Sequence, residues 1–297
     1  MTKIWPNRWP NLFVVGAAKA GTTSLYHYLN QHPEIYMSPI KEPHFFSNIR
    51  PQARYMALSG CVNIQDPQAY LDLFKSRQPH AVVGEASPSY LWEAQAPERI
   101  QQVSPGAKII VMLREPTRRA YSHYLNEVRA GLEKRPFLQA IQADLASQSV
   151  GWGVSPLYVA LGQYSEQVQR YLDRFDAVQV VFFEEFIKDV EGHLREIFEF
   201  LAVDASYANR IDPAVQNGYA IAPHPLGKFL IGTPWVRNLA RQVLAQRWRS
   251  QLKWLVLKSS PKPPMDEQAR ALLQEIYRSE FETLPQMLGR ALPWQAS

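Results

Sequence analysis

Short apolar runs rich in β-branched residues alternate with stretches of helical periodicity along the first two thirds of the chain. Such runs, bounded by glycine or polar residues, predict strands that are buried on both faces. They are LFVVGA at 12–17, AVVGE at 81–85, KIIVML at 108–113 and VQVVFF at 178–183. The periodic stretches predict helices at 21–31, 67–76, 97–103, 116–130, 166–174 and 193–201.

Strands that alternate with helices need crossover connections, which are right-handed and give a parallel sheet. The pattern therefore predicts an α/β fold, a doubly wound parallel sheet flanked by helices, with a helical C-terminal extension. Such sheets bind ligands at the carboxyl ends of their strands. Candidate chemistry is expected at the junctions 16–24, 85–90 and 114–122.

The whole chain, 1–297, is interpreted as one domain. Its α/β core spans 11–205, a basic amphipathic helical insertion or lid spans 224–262, and C-terminal helices span 266–292. The first of these helices is predicted from Asp266 to Phe281, with Asp266 as its cap.

The composition is typical of a folded protein, since 46% of the 297 residues are hydrophobic and 20% are charged. These values exclude a disordered or fibrous chain. The single cysteine, Cys61, cannot form an internal disulfide, which favours a reducing compartment. No apolar run approaches the roughly 18 residues of a membrane span. A cytoplasmic protein is expected, with peripheral attachment to a membrane as an open alternative.

The first junction, VVGAAKAGTTSL, is a P-loop-like anion-binding turn. Gly16 and Gly21 flank a loop of small residues, and hydroxyl residues open the following helix, whose N–H groups and dipole favour anions. The nucleoside triphosphate motif has its lysine directly after the last glycine, whereas Lys19 stands two residues before Gly21. Lys19 is therefore expected to meet an anion from the loop. A tight turn with a solvated lysine is the alternative.

The third junction, LREPTRRAYSHY, combines an arginine with a hydroxyl group. Arg114 ends a predicted strand, and Ser122 lies about two turns into the next helix. Forked guanidinium donors and a hydroxyl suit a phosphate group. Pairing of Arg114 with a carboxylate such as that of Glu115 is the alternative. Two anion sites on one sheet edge indicate a ligand that carries phosphates at both ends.

These motifs and two others resemble those of the sulfotransferases that use 3′-phosphoadenosine 5′-phosphosulfate (PAPS). In the order of the family they are AAKAGTTSL, KEPHFF at 41–46, GEASPSYL at 84–91 and LREPTRRAYSHY, within residues 11–205. KEPHFF and GEASPSYL are most similar to the bacterial and heparan sulfate members. The resemblance implies PAPS as the sulfuryl donor and PAP as the product. The implied acceptor is a hydroxyl, in preference to an amine, of a glycan, lipid or small molecule.

The resemblance also implies roles for individual residues. Lys19 would contact the oxygen that bridges the phosphate and sulfuryl groups, and Glu42 would be the catalytic base. The implied cofactor-binding residues are Lys19, Ala20, Gly21, Thr22, Thr23, Ser24, Arg114 and Ser122. The candidate substrate-pocket residues are His44, Phe45, Ser87, Tyr90 and His123.

The chemistry of sulfuryl transfer is compatible with these roles. Negative charge grows on the leaving oxygen of an in-line displacement, so a positioned cation such as Lys19 stabilises the transition state. The sulfuryl group carries less charge than a terminal phosphoryl group, so no metal is predicted. Without the resemblance, a salt bridge with Lys41 would be the preferred interpretation of Glu42. His123 is a weaker candidate for the base.

Two positions depart from the family pattern. Ala86 stands where the heparan sulfate enzymes carry a lysine after the glutamate of the motif that is GEASPSYL here, so any contact made by that lysine is absent or supplied elsewhere. The C-terminal adenosine-binding loop, often K-G-R or R-x-G, has only Asn217-Gly218-Tyr219 as a candidate counterpart.

An ATP-dependent kinase of the P-loop type is the main alternative enzyme. Glu85 ends an apolar strand, where an acidic residue can hold magnesium. The position of Lys19 argues against this alternative.

The basic residues are concentrated in one segment. Eight of them and no acidic residues lie between Pro213 and Met265, which leaves 24 basic and 27 acidic residues elsewhere. Within this segment, residues 235–258 have apolar positions at roughly helical spacing and predict a basic amphipathic helix.

Several roles fit this segment. It would be an ordinary helix with a solvated basic face, an attractor of an anionic glycan, a lid, or a contact with an anionic membrane surface. A protein that chiefly binds polyanions or membrane surfaces through residues 228–262 is therefore the second functional alternative. Nucleic acid is not expected as a partner, because no recognised binding motif accompanies the charge.

Overall fold

The computed structural model describes residues 9–48, 62–76, 80–148, 151–152, 155–212, 220–221, 258–259 and 262–294. Its central element is a parallel sheet built from β1 (Leu12–Gly16), β2 (Ile35–Met37), β3 (Val82–Ala86), β4 (Lys108–Leu113) and β5 (Val178–Phe182). The strand order is β2-β3-β1-β4-β5. A short antiparallel pair joins β6 (Ala220–Ile221) to β7 (Lys258–Ser259).

Helices follow or precede each strand of the central sheet. In chain order they are α1 (Thr22–Leu29), α2 (Pro67–Asp72), α3 (Ser89–Trp92), α4 (Ala96–Val103), α5 (Pro116–Ala130), α6 (Phe137–Leu145), α7 (Tyr164–Leu172), α8 (Phe183–Phe186), α9 (Val190–Leu201), α10 (Glu267–Ile276) and α11 (Arg278–Leu288). Short 3₁₀ turns lie at Ala160–Gly162 and Ala205–Arg210. The predicted fold class, an α/β parallel sheet flanked by helices with a helical C-terminal extension, is confirmed.

The strands at the centre of the sheet form the core. Every residue of β1 and β3 is buried, as are all residues of β4 after Lys108. Burial on both faces explains why these strands are continuous apolar runs. The strand β2 was not predicted, because its three residues are too few to form a recognisable run.

The register of the sheet brings the predicted junctions to one edge. The strand β1 lies between β3 and β4, with Val14 beside Ala86 and Gly16 beside Val111. The segments that leave β1, β3 and β4 at their carboxyl ends are therefore neighbours, as expected for the ligand-binding edge of such a sheet.

The prediction of one continuous helix at 266–281 is wrong, because the structure divides this segment into α10 and α11 at Tyr277. Asp266 does cap α10, since its carboxylate accepts a hydrogen bond from the Ala269 N–H at 2.9 Å. The ring of Tyr277 is fully buried, and its hydroxyl donates to the Val159 carbonyl at 2.9 Å. This anchor turns the chain so that α11 packs against α7, where Glu280 accepts a hydrogen bond from Ser165 Oγ.

The predicted insertion at 224–262 lies outside the described residues, apart from Lys258–Ser259 and Lys262, and Asn217-Gly218-Tyr219 also lies outside them. Within the described part of the chain, none of the helices has both the length and the hydropathy needed to cross a membrane.

Replacing Tyr277 tests how the C-terminal helices are anchored. Tyr277→Phe removes the buried hydroxyl and its hydrogen bond to the Val159 carbonyl, so we expect the free energy of unfolding to fall by about 1 kcal/mol. Urea unfolding of the wild type and the variant measures the change. Tyr207→Phe, at a half-buried ring, is the control and should change stability by less than about 0.5 kcal/mol. Equal unfolding midpoints for Tyr277→Phe and the wild type would contradict the anchor.

Candidate active site

The loop between β1 and α1 requires glycine at both ends. A Cβ atom on Gly16 would lie 2.6 Å from Leu91 Cβ, and one on Gly21 would lie 2.8 Å from Phe183 Cδ2. Gly21 also has a φ of +92°, in the left-handed region that L side chains rarely adopt. These close approaches hold the loop at the carboxyl end of β1.

Lys19 and the start of α1 form one side of the site. Lys19 has a φ of 68°, and its carbonyl accepts a hydrogen bond from Arg114 Nη1 at 3.1 Å. Ala20 is buried, and Thr22, Thr23 and Ser24 form the first turn of α1. No side chain caps this helix, so its first N–H groups remain able to donate hydrogen bonds to an anion.

Arg114 leaves β4 beside this loop. Its guanidinium carbon lies 4.7 Å from the centre of the Phe183 ring, and its carbonyl accepts a hydrogen bond from the Tyr164 hydroxyl at 2.9 Å. The Nε atom is buried and has no hydrogen-bond partner among the described residues. Burial lowers the pKa of Arg114, and Glu184 partly opposes this effect. Arg114 is therefore held in place while its Nε–H group remains able to donate a hydrogen bond to a ligand. Ser122, which is half-buried, lies on the following helix, α5.

The loop that carries Glu42 is attached to the end of β3. The Glu42 N–H donates to the Ala86 carbonyl at 3.1 Å, and the His44 N–H donates to Ser87 Oγ at 3.1 Å. Glu42 and His44 have φ values of 61° and 57°. Left-handed conformations of residues other than glycine persist where surrounding contacts hold them, and they are common at functional sites.

The Glu42 carboxylate lies between two nitrogen groups and is 37% exposed. Lys41 Nζ contacts its Oε1 atom, and His44 Nε2 lies 3.7 Å from its Oε2 atom. Desolvation raises the pKa of Glu42, but Lys41, His44 and Lys19 together lower it by more, so the net pKa lies below its usual value. Glu42 is therefore ionised at neutral pH.

The charge of Lys19 is weakened by its surroundings. Burial, and then the nearby charge of Arg129, lower its pKa from 10.5 to about 8, while Glu42 and Glu127 oppose the shift. Lys19 and Glu42 therefore lie close enough for the charge of each to act on the other. An anion beside Lys19 would restore its full positive charge.

Three of the predicted pocket residues contact Glu85 or Tyr70. Ser87 and Tyr90 are fully buried and donate hydrogen bonds to Glu85. The ring of Phe45 stacks on Tyr70, with centroids 4.3 Å apart. Ser87 and Tyr90 therefore support the Glu42 loop from the interior, where they accept hydrogen bonds from the His44 and Phe46 N–H groups, whereas Phe45 is partly exposed.

The remaining predicted pocket residues, His44 and His123, each pair with other polar groups. His44 is 1% exposed and bonds to Ser89. His123 Nε2 lies 3.6 Å from Glu127 Oε1, and burial lowers the pKa of His123. Sequence reasoning missed Glu127 and Arg129, although the spacing of His123 and Glu127 by four residues on one helix was a usable signal.

Glu85 is the buried carboxylate that the kinase alternative invoked. It accepts hydrogen bonds from Tyr90 OH at 2.6 Å, Ser87 Oγ at 2.7 Å and Tyr70 OH at 2.9 Å. The carboxylate is fully enclosed by these donors, so it is not available as a magnesium ligand. Among the described residues, no cluster of His, Cys, Asp and Glu has the arrangement of a metal site.

The chain belongs to the sulfotransferase family. The family model described as a sulfotransferase domain matches residues 10–219, which is more than half of the chain. The resemblance to the PAPS-dependent sulfotransferases is thereby confirmed. The matched range includes β1, β3 and β4, together with the loops that leave them.

Individual proteins that this chain resembles are also sulfotransferases. A crystal structure of a sulfotransferase from Alicyclobacillus acidocaldarius is 29% identical, with a TM-score of 0.71, and the match covers 96% of this chain and 97% of that one. Heparan sulfate glucosamine 3-O-sulfotransferase 3B1 of Mus musculus is 28% identical over 198 residues, 65% of this chain and 46% of the relative. Carbohydrate sulfotransferase 15 of Homo sapiens is 26% identical over 251 residues, 65% of this chain and 43% of the relative. The chain thus spans about half the length of the curated relatives it matches.

The burial of Glu85 leads us to expect that the free energy of unfolding depends on pH. Burial raises its pKa from 4.5 to about 7, although hydrogen bonds from Tyr90, Ser87 and Tyr70 oppose the shift. Between these values the folded protein keeps a proton that the unfolded chain has lost, so stability falls as pH rises from 4.5 to 7. The fall is about 3 kcal/mol.

Glu85→Gln removes this titration, so the wild type should lose stability relative to the variant over that pH range. Urea unfolding at several pH values measures the difference. Glu98→Gln, on the exposed face of α4, is the control and should leave the pH dependence unchanged. Parallel pH profiles for the wild type and Glu85→Gln would contradict the raised pKa.

Proposed function

We propose that the protein transfers the sulfuryl group of PAPS to a hydroxyl group, in preference to an amine, of an acceptor with a glycan component. The observation that carries this proposal is the meeting of a loop lysine and an ionised carboxylate at the carboxyl edge of the sheet. Lys19 follows β1 and Glu42 is tied to the end of β3, and each shifts the pKa of the other. A cation for a leaving phosphate and a base for an attacking hydroxyl are the two groups that such a transfer needs.

The residues around Lys19 fit a donor that carries phosphates at two places. The open N-terminus of α1 and the Lys19 loop would hold the 5′-phosphosulfate, and Arg114 with Ser122 would hold the 3′-phosphate. The unpartnered Nε atom of Arg114 supports this assignment, because a phosphate oxygen would supply the partner that it lacks. PAPS supplies the sulfuryl group, and PAP is the product.

Glu42 would act on the acceptor. An acceptor hydroxyl loses its proton as its oxygen bonds to sulfur, and Glu42 would take that proton while Lys19 stabilises the charge that develops on the departing phosphate. The low pKa of Glu42 keeps the carboxylate in its accepting form. No step needs a metal ion.

The nature of the acceptor is supported by the relatives and by the surface beside the loop. The heparan sulfate and carbohydrate sulfotransferases are named for glycan substrates. Trp92 and Trp152 are half-buried and pack with Leu157 and Leu161 around Ala18 of the Lys19 loop. This surface would suit an acceptor with an apolar face next to its hydroxyl groups. Contact of the basic segment 228–262 with an anionic glycan or membrane surface stays a proposal, as does a cytoplasmic location.

The identity of the donor is the first test. Radiolabelled sulfuryl transfer from PAPS is measured with heparan sulfate, chondroitin sulfate and a simple phenol as acceptors, in the presence of a chelator, and compared with phosphoryl transfer from ATP and magnesium. We expect transfer only from PAPS. Lys19→Ala should lower kcat by at least about 100-fold, because it removes the cation beside the leaving group.

The control for this test is Lys75→Ala, which removes an exposed lysine that pairs with Asp72. Its kcat should stay within about twofold of the wild type. Activity with ATP and magnesium alone would contradict the proposed function and favour the kinase alternative.

Glu42→Gln is the second test. Loss of the base should lower kcat by about 100- to 10,000-fold, whereas the affinity for PAP, measured by calorimetry, should change by less than about threefold. In the wild type, kcat/KM should persist to a pH below the usual pKa of glutamate and should fall as pH rises through about 8, where Lys19 loses its proton. Full turnover by Glu42→Gln would refute its role as the base.

A further inference from the structure

Lys41 forms an ion pair with the residue that follows it. Its Nζ atom contacts Glu42 Oε1, although successive side chains of an extended chain point to opposite sides. Glu42 has a φ of 61° and its N–H donates to the Ala86 carbonyl, so the conformation of the loop brings the two side chains together. The Lys41 side chain is 17% exposed and that of Glu42 is 37% exposed, so the pair is partly open to a ligand.

Few other charges can balance that of Glu42. Lys41, His44 and Lys19 oppose the effect of burial on the pKa of Glu42. Burial lowers the pKa of His44 to about 4, so its ring is neutral at neutral pH, although its Nε2 lies 3.7 Å from Glu42 Oε2. Lys19, in the proposed function, faces the departing phosphate. Of these three groups, Lys41 is therefore the one that stays charged and is not used by the donor.

A carboxylate base creates an electrostatic conflict in a site for PAPS. The acceptor hydroxyl that Glu42 would deprotonate attacks the sulfuryl group, which is itself anionic, so two negative groups must approach the same hydroxyl. Like charges repel, and a bound anion also raises the pKa of a neighbouring carboxylate. A cation paired with the carboxylate reduces both effects.

We propose that Lys41 is a positioning residue whose charge offsets that of Glu42, so that the anionic sulfuryl end of the donor can lie beside an ionised base. The contact between Lys41 Nζ and Glu42 Oε1 places the cation on the base itself. The ion pair that the sequence presents as an alternative to catalysis is then part of the catalytic arrangement. This inference rests on the proposed function, because it assumes PAPS as the donor and Glu42 as the base.

The affinities for the donor and for its product measure this balance. PAPS carries the sulfuryl group and PAP does not, and calorimetry at pH 7 and low ionic strength, without an acceptor, gives the affinity for each. Lys41→Met should weaken PAPS binding about fivefold, the factor for one pair of unit charges about 4 Å apart in water. The affinity for PAP should change by less than about twofold, because the missing charge lies beside the sulfuryl group.

Removal of the partner charge should have the opposite sign. Glu42→Gln removes the negative group and should tighten PAPS binding relative to PAP binding. The double variant, Lys41→Met with Glu42→Gln, removes both charges and should bind PAPS within about twofold of the wild type. A double variant that binds PAPS as weakly as Lys41→Met alone would contradict the offset.

The ionisation of Glu42 gives a second readout. In the full chain labelled with ¹³C-glutamate, Glu42→Gln identifies the Glu42 signal, and the chemical shift of that signal against pH gives the pKa. Lys41→Met should raise the pKa of Glu42, because it removes the largest of the charges that lower it. Lys41→Arg keeps the positive charge and should keep both the pKa of Glu42 and the affinity for PAPS near those of the wild type.

Lys75→Met is the matched control, because Lys75 also pairs with a carboxylate, that of Asp72, but at an exposed position. It should change neither PAPS binding nor the pKa of Glu42. Equal losses of PAPS and PAP affinity in Lys41→Met, or an unchanged pKa of Glu42, would overturn the inference. None of these measurements depends on turnover. Failure of the wild type to bind PAPS or to transfer its sulfuryl group would refute the proposed function, whereas an active wild type in which Lys41→Met leaves PAPS affinity unchanged would refute only this inference.

Discussion

The pairing of β1 with β3 on one side and β4 on the other is the constraint on which the site depends. Hydrogen bonds between parallel strands bring the three carboxyl ends side by side, and each end then places one part of the site. The loop after β1 carries Lys19, the end of β3 holds the Glu42 loop, and β4 leads into Arg114. Because these loops start from a buried sheet, a shift in register would separate all three groups at once.

The charged groups at this edge of the sheet depend on one another or on a ligand for their ionisation and their hydrogen bonds. Lys19 is half-buried, and desolvation and the charge of Arg129 lower its pKa, while Lys41, His44 and Lys19 keep the Glu42 carboxylate ionised. Arg114 has a buried donor without a partner among the described residues. Such unsatisfied polar groups are costly in a folded protein, and they are found where a ligand supplies what is missing.

The strands and the anion-binding loop could be predicted because each depends on local sequence. Apolar runs of five or six residues predicted β1, β3, β4 and β5, and two glycines predicted the turn. The division of the last helix at Tyr277 could not be predicted, because it depends on carbonyl groups more than 100 residues away. The contacts of His44 with Ser89, and the burial of Ser87 and Tyr90, likewise join segments that only the fold brings together.

The depressed pKa of Lys19 couples ligand binding to protons. Near pH 8 about half of the Lys19 side chains are neutral in the free protein. An anion that binds beside Lys19 favours its charged form, so complex formation takes up a fraction of a proton from the solvent. The heat of binding then includes the ionisation heat of the buffer, and the number of protons taken up per ligand is greatest where Lys19 is neutral before binding and charged after it.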